Sequence, residues 1–537
     1  MLIDLRQHPE AAASSHSDVC IIGAGAAGIN LARALVAKGH TVCLLESGGL
    51  DYEQATQNLY RGANVGMEYY DLVDSRLRFF GGTVAIWGGR CALYNAIDFE
   101  KRDWVPHSGW PINREAILPW YKAAHDSLEL GRFNYEDNIW AEMGLAPQGF
   151  DPAKIDSVLW RFDEMAERFT ASRSRDLLDG PNVRVLIHAN AVRLQASADA
   201  SQIDHVVAQA LGGPPVEVKA HHYVLATGAI ENARLLLASN DVATAGLGNS
   251  HDQVGRYFME HPVGRIARVE TPDPYGLWAR FQKRFMADGP PLAPVIRLGD
   301  DAQRQHQALN SIATLKLQRD PGKGVALGNK VYHNIKHSLA PDRKGRFLDH
   351  AYRGIRAWFH RNIRGSVESL RARTGITQLY LIMRGEQAPN PDSRILLSAE
   401  RDSLGNPLAN LDWQLSEQDK HTGRVLVETF AAELQRLGLG TAHASAWLAE
   451  SGTTWPVDPT IGNHPIGGYH HMGGTRMSAS PATGVVDADC AVHGLHNLHV
   501  AGSSVFPTGG WANPTLTIIA FALRLADHLD GRLARKR

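Results

Sequence analysis

The sequence predicts an α/β chain: a parallel sheet assembled from separated segments, with an α+β portion carrying a mainly antiparallel sheet set between them. Three observations predict it. Residues 18–46 read as strand, glycine turn, helix and strand. Residues 183–237 carry short strand-like runs ending in Gly228 and a helix. From about 460 onward the chain returns to glycine-rich motifs, after a stretch of different texture over 265–460.

Each element has a local cause. Val19, Cys20, Ile21 and Ile22 form an unbroken apolar run, as a strand buried on both faces requires. Gly23-Ala24-Gly25-Ala26-Ala27-Gly28 turns the chain into a helix bearing Ile29, Leu31, Ala32, Leu35 and Val36, and Gly39 stands at its C-cap. Val42, Leu44 and Leu45 make the next strand, which Glu46 closes. A glycine-rich segment, FGGTVAIWGGR, occupies 80–90. VRVLIHANAVRL, HVVAQAL and VEVKAHHYVLAT supply strand candidates, and AIENARLLLAS supplies a helix. Between 265 and 460, strand-like runs alternate with two long helical stretches. Residues 498–507 read as a strand entering a turn, and 514–529 as a final helix. No internal repeat is present. The expected division is a Rossmann-like nucleotide-binding domain from 1–100, 181–264 and 460–537, and a substrate-binding domain and cap from 101–180 and 265–459.

Composition narrows the function classes. A chain of 537 residues holds two to four domains at ~150 residues each. Lys+Arg is 55 against 56 Asp+Glu, which argues against nucleic acid as the main partner. No apolar run approaches the ~20 residues that cross a bilayer. Cys20, Cys43, Cys91 and Cys490 are too scattered for a CxxC, zinc-ribbon or haem motif, so a reducing compartment is expected. The N-terminal residues lack a signal-peptide pattern, and the cytoplasm is the expected location.

Gly23-x-Gly25-x-x-Gly28 is weak evidence alone. Here it joins a buried strand to a helix, and Glu46 follows 18 positions after Gly28. That context reads as a dinucleotide fingerprint. Gly23 permits the tight turn, Gly25 admits a pyrophosphate to the backbone, and Gly28 lets helix and strand pack closely. Glu46 then accepts hydrogen bonds from ribose hydroxyls. The fingerprint does not choose between NAD and FAD.

The C-terminal motifs do. GYHHMGGTRM spans 468–477, and GGWANPTLT spans 509–517. With the fingerprint, FGGTVAIWGG, LATGAIENARLLL and GRYFMEHP (255–262), they resemble the glucose–methanol–choline (GMC) oxidoreductase family. The WGG and HHMGGTRM forms are most similar to the branch of pyranose oxidases and bacterial sugar or glycoside dehydrogenases. The resemblance covers most of the nucleotide-binding part and thins between about 265 and 460. It implies FAD and the oxidation of an alcohol to a carbonyl. The family pattern His-x-x-Gly-Thr-x-Arg-Met, registered on Arg476 and Met477, places its His on His470, with Gly474 in place of its Thr and His471 one place out of register. The family's second catalytic position falls on Asn513. Further cofactor contacts are implied at Gly82, Thr83, Trp87, Gly88, Val192, Gly228, Gly502, Ser503 and Thr515. Some members of this branch tether FAD to a histidine just before the Trp of the second motif. Ile86 stands there, so noncovalent FAD is expected, and Cys91 is a packing residue.

The chemistry agrees with these residue types. Oxidising an alcohol removes the hydroxyl proton and a hydride from one carbon. A near-neutral imidazole suits the proton, and a neutral amide holds the alcohol oxygen. The plainer alternatives are a structural or metal-binding histidine pair at 470–471 and a helix-capping role for Asn513 before Pro514. Adjacent side chains in an extended segment point to opposite faces, and no HExxH motif accompanies the pair.

Two further features stand outside these motifs. Residues 341–373 hold nine Lys/Arg against three acids, with Phe347, Ile355, Trp358, Phe359, Val367 and Leu370 among an apolar stripe at helical spacing. Packing on the chain's own body with a solvated basic face is the favoured reading; contact with a membrane, a partner or a second subunit is the other. Residues 378–387 read as a strand facing the cofactor, which offers Arg384, Glu386 and Gln387 to substrate hydroxyls, with His471 beside them. Together these features predict FAD-dependent oxidation of a polyhydroxylated substrate, a sugar or glycoside, with electrons leaving to O2, a quinone or a partner protein. A flavin-containing lyase and a noncatalytic flavoprotein subunit are the alternatives.

Overall fold

Six parallel strands form the central sheet of the computed structural model, in the spatial order Leu2–Asp4, Val183–Ile187, Val42–Leu45, Ser17–Ile22, Ala220–Leu225 and Leu498–Val500. The structure describes residues 1–12, 16–136, 138–165, 167–319, 342–461 and 465–535. Val19, Cys20 and Ile21 are fully buried, as their unbroken apolar run required. The helix Ala26–Ala37 packs on this sheet and against the final helix, Thr515–Ala534. Ile22 is in register with both Leu45 and Leu225, so three strand ends open at one edge.

Leu2–Asp4 at the sheet edge has no counterpart in the sequence reading. Three residues show no period, and the strand is fixed by its partner: the Met1 ammonium donates to the Val183 carbonyl at 2.7 Å. VRVLIHANAVRL divides into Val183–Ile187 and Asn190–Ala196. His188 breaks it with φ +55°, and its ring is held by Asp4 at 2.9 Å and Glu53 at 3.0 Å.

The second large sheet has seven antiparallel strands, ordered Thr441–Ala444, Val263–Glu270, Gln378–Arg384, Ile312–Gln318, Leu292–Leu298, Ile155–Phe162 and Arg90–Cys91. The helix Glu417–Arg436 packs against it and starts at a Ser416/Asp419 capping box. One continuous apolar core runs through both sheets. The fold is therefore mixed α/β with a parallel and an antiparallel sheet, as the sequence predicts.

The basic segment forms two helices, Arg343–Asn362 and Arg364–Arg373; residue 341 lies outside the described residues. Here the favoured packing expectation fails. Phe347 is 71% exposed, Ile355 69%, Trp358 59% and Leu370 64%. The segment is anchored instead through cations: Arg346 pairs with Asp51 and Glu167, Arg361 stacks on Phe285 at 4.1 Å, and Arg364 stacks on Trp278 at 4.9 Å. Among the described residues no helix is long and apolar enough to cross a membrane.

Candidate active site

The glycine turn has the shape the fingerprint requires. Gly23 has φ +109°, and a Cβ there would lie 2.5 Å from the Ala226 carbonyl oxygen. A Cβ on Gly28 would meet the Gly23 oxygen at 1.9 Å, so only glycine lets helix and strand approach. At Gly25 a Cβ would point into open space, at the N-terminus of the helix Ala26–Ala37. That space belongs to a cavity of about 1850 Å³, larger than the ~300–1,000 Å³ of a drug-sized site. Glu46 is buried at its wall, accepting from Ala24 N–H at 3.0 Å and Gly48 N–H at 2.9 Å, and burial pushes its carboxyl pKa up. The second glycine segment closes over the turn, with Gly81 N–H donating to the Ala24 carbonyl at 2.9 Å. A bare helix N-terminus, a glycine cradle and an acidic wall residue fit a dinucleotide such as FAD.

Gly82, Thr83, Trp87, Gly88, Gly228, Gly502, Ser503 and Thr515 all line this cavity, as do Gly23, Gly25 and Glu46. Val192 does not; its neighbours Ala189 and Ala191 do. Ile86, where a tethering histidine would stand, faces the cavity, whereas Cys91 is fully buried away from it and its thiol pKa is raised by burial.

The same cavity brings His470, His471 and Asn513 together at its sheet-facing end. Asn513 Nδ2 lies 3.0 Å from His470 Nε2. The final helix receives no side-chain cap from Asn513, which leaves the capping alternative without a bond. On its other side, His470 Nδ1 lies 2.8 Å from His261 Nδ1, and His261 Nε2 lies 3.2 Å from the Gly509 carbonyl. That carbonyl only accepts, so His261 Nε2 carries a proton. Burial lowers the His261 pKa to about 4, so the ring is neutral and its Nδ1 is an acceptor. His470 Nδ1–H then donates to it, and a neutral His470 keeps Nε2 as the acceptor that faces Asn513.

Glu260, wholly buried, fixes the loop that carries His470. Its Oε1 accepts from the N–H groups of His261 at 2.7 Å, Gly468 at 3.0 Å and His470 at 2.9 Å. Its Oε2 takes the Tyr69 hydroxyl at 2.5 Å. Tyr69 has thereby given up its only proton, so His471 Nε2–H donates to it at 2.9 Å. Burial drops the His471 pKa to about 3. The two histidines thus differ: His470 presents Nε2 to the amide of Asn513, and His471 spends Nε2 on a buried tyrosine.

Of the three residues offered to substrate hydroxyls, only Arg384 reaches the cavity. Glu386 sits in a fully buried ion pair with Arg102 at 2.5 Å and also accepts from Asn310 N–H at 2.8 Å. Gln387 is spent on Glu260 N–H at 2.9 Å and Trp413 Nε1–H at 2.8 Å. The cause is the strand's end. Pairing stops at Arg384, and the next residues turn into the core. Glu260, His261 and Tyr69 were missed as site residues. GRYFMEHP was legible as a motif, but nothing local ties it to a histidine 209 positions away. Among the described residues no cluster of His, Cys, Asp or Glu suits a metal ion.

Comparison with known proteins gives the class. Residues 389–522 match the family model described as GMC oxidoreductase, and residues 18–241 match that described as FAD dependent oxidoreductase. Paromamine 6'-oxidase of Streptomyces fradiae is 25% identical over 97% of this chain and 92% of its own length. A C-glycoside 3-oxidase of Microbacterium trichothecenolyticum is 33% identical over 25% of this chain and 23% of its own. The structure of pyridoxine 4-oxidase from Mesorbium loti has the same fold, with a TM-score of 0.53 and 16% identity over 96% of this chain and 99% of that one. The chain thus carries a GMC oxidoreductase C-terminal domain and an FAD dependent oxidoreductase domain, and it is an enzyme acting on CH–OH groups. These matches leave the lyase and noncatalytic alternatives without support.

Proposed function

We propose that the chain oxidises a hydroxyl of a sugar or glycoside, a secondary one, to a carbonyl, with noncovalently held FAD. The observation that carries this reading is the row Asn513–His470–His261, of which His470 and Asn513 line the cavity of the glycine cradle. Bound FAD supplies the hydride acceptor. Gly23, Gly25, Glu46 and the helix N-terminus at Ala26 hold its phosphates and ribose. His470 Nε2 takes the hydroxyl proton, and Asn513 donates its amide to the alcohol oxygen, fixing the carbon's orientation. His261 keeps the His470 proton on Nδ1, so Nε2 is never the wrong tautomer.

The remaining assignments belong to the same reading. The parallel-sheet segments serve FAD, and the antiparallel sheet serves substrate. Electrons pass to O2, a quinone or a partner protein. The exposed apolar side chains of 343–373 support contact with a second molecule at the cavity rim, which Arg343 and Phe347 line. Four buried free cysteines support a cytoplasmic setting. The test is a panel of sugars and glycosides mixed anaerobically with the purified holoenzyme. Bleaching of the flavin band with formation of one carbonyl per flavin is expected, and a panel that never bleaches it overturns the reading.

A further inference from the structure

Arg384 ends a central strand of the antiparallel sheet, in register with Val263 on one side and Ile312 on the other. Its backbone is held by both neighbours, and Gly385 N–H is pinned to the Pro262 carbonyl at 2.9 Å. The side chain opens on the cavity that holds His470 and Asn513. Among the described residues its guanidinium has no hydrogen bond and no ion pair, and its Nε is buried without a partner. The residue is only partly exposed, and a cation without a counter-charge whose Nε is shielded from water is costly, so a fold rarely leaves one unless a ligand completes it.

The nearest carboxylate does not complete it. Glu260 lies close enough to act on the charge of Arg384, yet both its oxygens are occupied by Tyr69 and by the N–H groups of His261, Gly468 and His470. Glu386, two residues on, is committed to Arg102. The two strands of this wall, Ile312–Gln318 and Gln378–Arg384, contain no acidic residue, and they add a second cation, Lys316, to the cavity. The two strands of this wall thus bring cations, and no carboxylate of their own, to the cavity.

Resting on the reading of this site as an alcohol-oxidising one, we infer that Arg384 binds a carboxylate carried by the substrate. The guanidinium presents parallel N–H donors in a rigid fork that matches two carboxylate oxygens. The substrate class is then an acidic sugar, a uronide or an aldonate, with its carboxylate on Arg384 and the reacting hydroxyl on His470.

The test is anaerobic titration of the holoenzyme with methyl glucuronide and with methyl glucoside, reading both the perturbation of the flavin band on binding and its bleaching. The glucuronide should half-saturate at a concentration at least ten-fold lower. Arg384→Gln should abolish the preference, giving the two glycosides equal half-saturation in that variant, and Arg384→Lys should recover part of it. Flavin content and melting temperature report that each variant is folded. Equal half-saturation in the wild type, an unchanged glucuronide response in Arg384→Gln, or no response to the glucuronide overturns the assignment. Bleaching by the glucoside without any preference sinks the carboxylate anchor and spares the oxidation chemistry. Tight glucuronide binding that needs Arg384 but never bleaches the flavin does the reverse.

Discussion

Asn513 Nδ2 and His470 Nε2 lie 3.0 Å apart across 43 residues of sequence, with the amide aimed at the one imidazole nitrogen that His261 leaves free. A hydroxyl entering between them meets an acceptor for its proton and a donor for its oxygen at once.

The catalytic pair should separate kinetically from its neighbour. His470→Ala should lose about 10²–10⁴-fold in anaerobic flavin reduction while retaining FAD. Asn513→Ala should lose less, since the base remains. His471→Ala should keep most of the rate, because its Nε2 is bound to Tyr69. Stopped-flow reduction across pH reads all three, and a slow His471→Ala beside a fast His470→Ala would move the base by one residue.

His261 should act on rate through His470. His261→Ala removes the acceptor for His470 Nδ1–H and frees the ring to exchange tautomers. A loss of roughly five-fold in the reduction rate is expected, the size of one neutral hydrogen bond of ~1 kcal/mol, with a shifted acid limb and little change in substrate half-saturation. An unaltered pH profile would show that His470 is oriented without it.

Glu46→Ala should weaken FAD retention by ~1.5–3 kcal/mol, the worth of hydrogen bonds to a charged group. The carboxylate also ties Ala24 N–H to Gly48 N–H, so the variant loosens the turn as well. Fluorescence titration of the stripped protein measures the loss. Acid precipitation of the wild type should release all its flavin, since Ile86 cannot form a tether; flavin that stays with the pellet contradicts this.

Stability should fall on acidification through the buried histidines. The His261 pKa drops from the ordinary 6.5 to about 4 on folding. Below pH ~6.5 the unfolded chain binds the proton that the folded chain refuses, so stability rises with pH across this window and is lost as pH falls toward 4. The full contribution is about 3 kcal/mol at ~1.4 kcal/mol per pH unit. Chemical denaturation at several pH values should show a shallower acid slope for His261→Gln, and parallel slopes would count against the buried neutral ring.

How much of this was legible depends on distance along the chain. The strand–turn–helix unit of residues 18–46 was readable because its causes are local: an apolar run, glycines at fixed offsets, and Gly39 beyond the last turn. Leu2–Asp4 was not, because only Val183–Ile187 makes it a strand. The histidine and amide were reached through motif resemblance, whereas the bond between His261 and His470 joins two motifs with no spacing rule. Glu386 and Gln387 were drawn into the site by continuing the strand's alternation past Arg384, where the pairing in fact stops. The apolar stripe of 343–373 misled because helical periodicity reports one apolar face and not what lies against it.

The order of the central sheet also has a consequence for biosynthesis. Its strand Leu498–Val500 and the helix Thr515–Ala534 come long after Ala220–Leu225 and Ala26–Ala37 in the chain, yet they lie beside them. Until those segments are made, one flank of Ala220–Leu225 is unpaired and the cleft lacks the wall that Gly502, Ser503 and Thr515 supply. The cleft is therefore completed only when segments far apart in the chain have paired, which ties its assembly to the least local contacts of the fold.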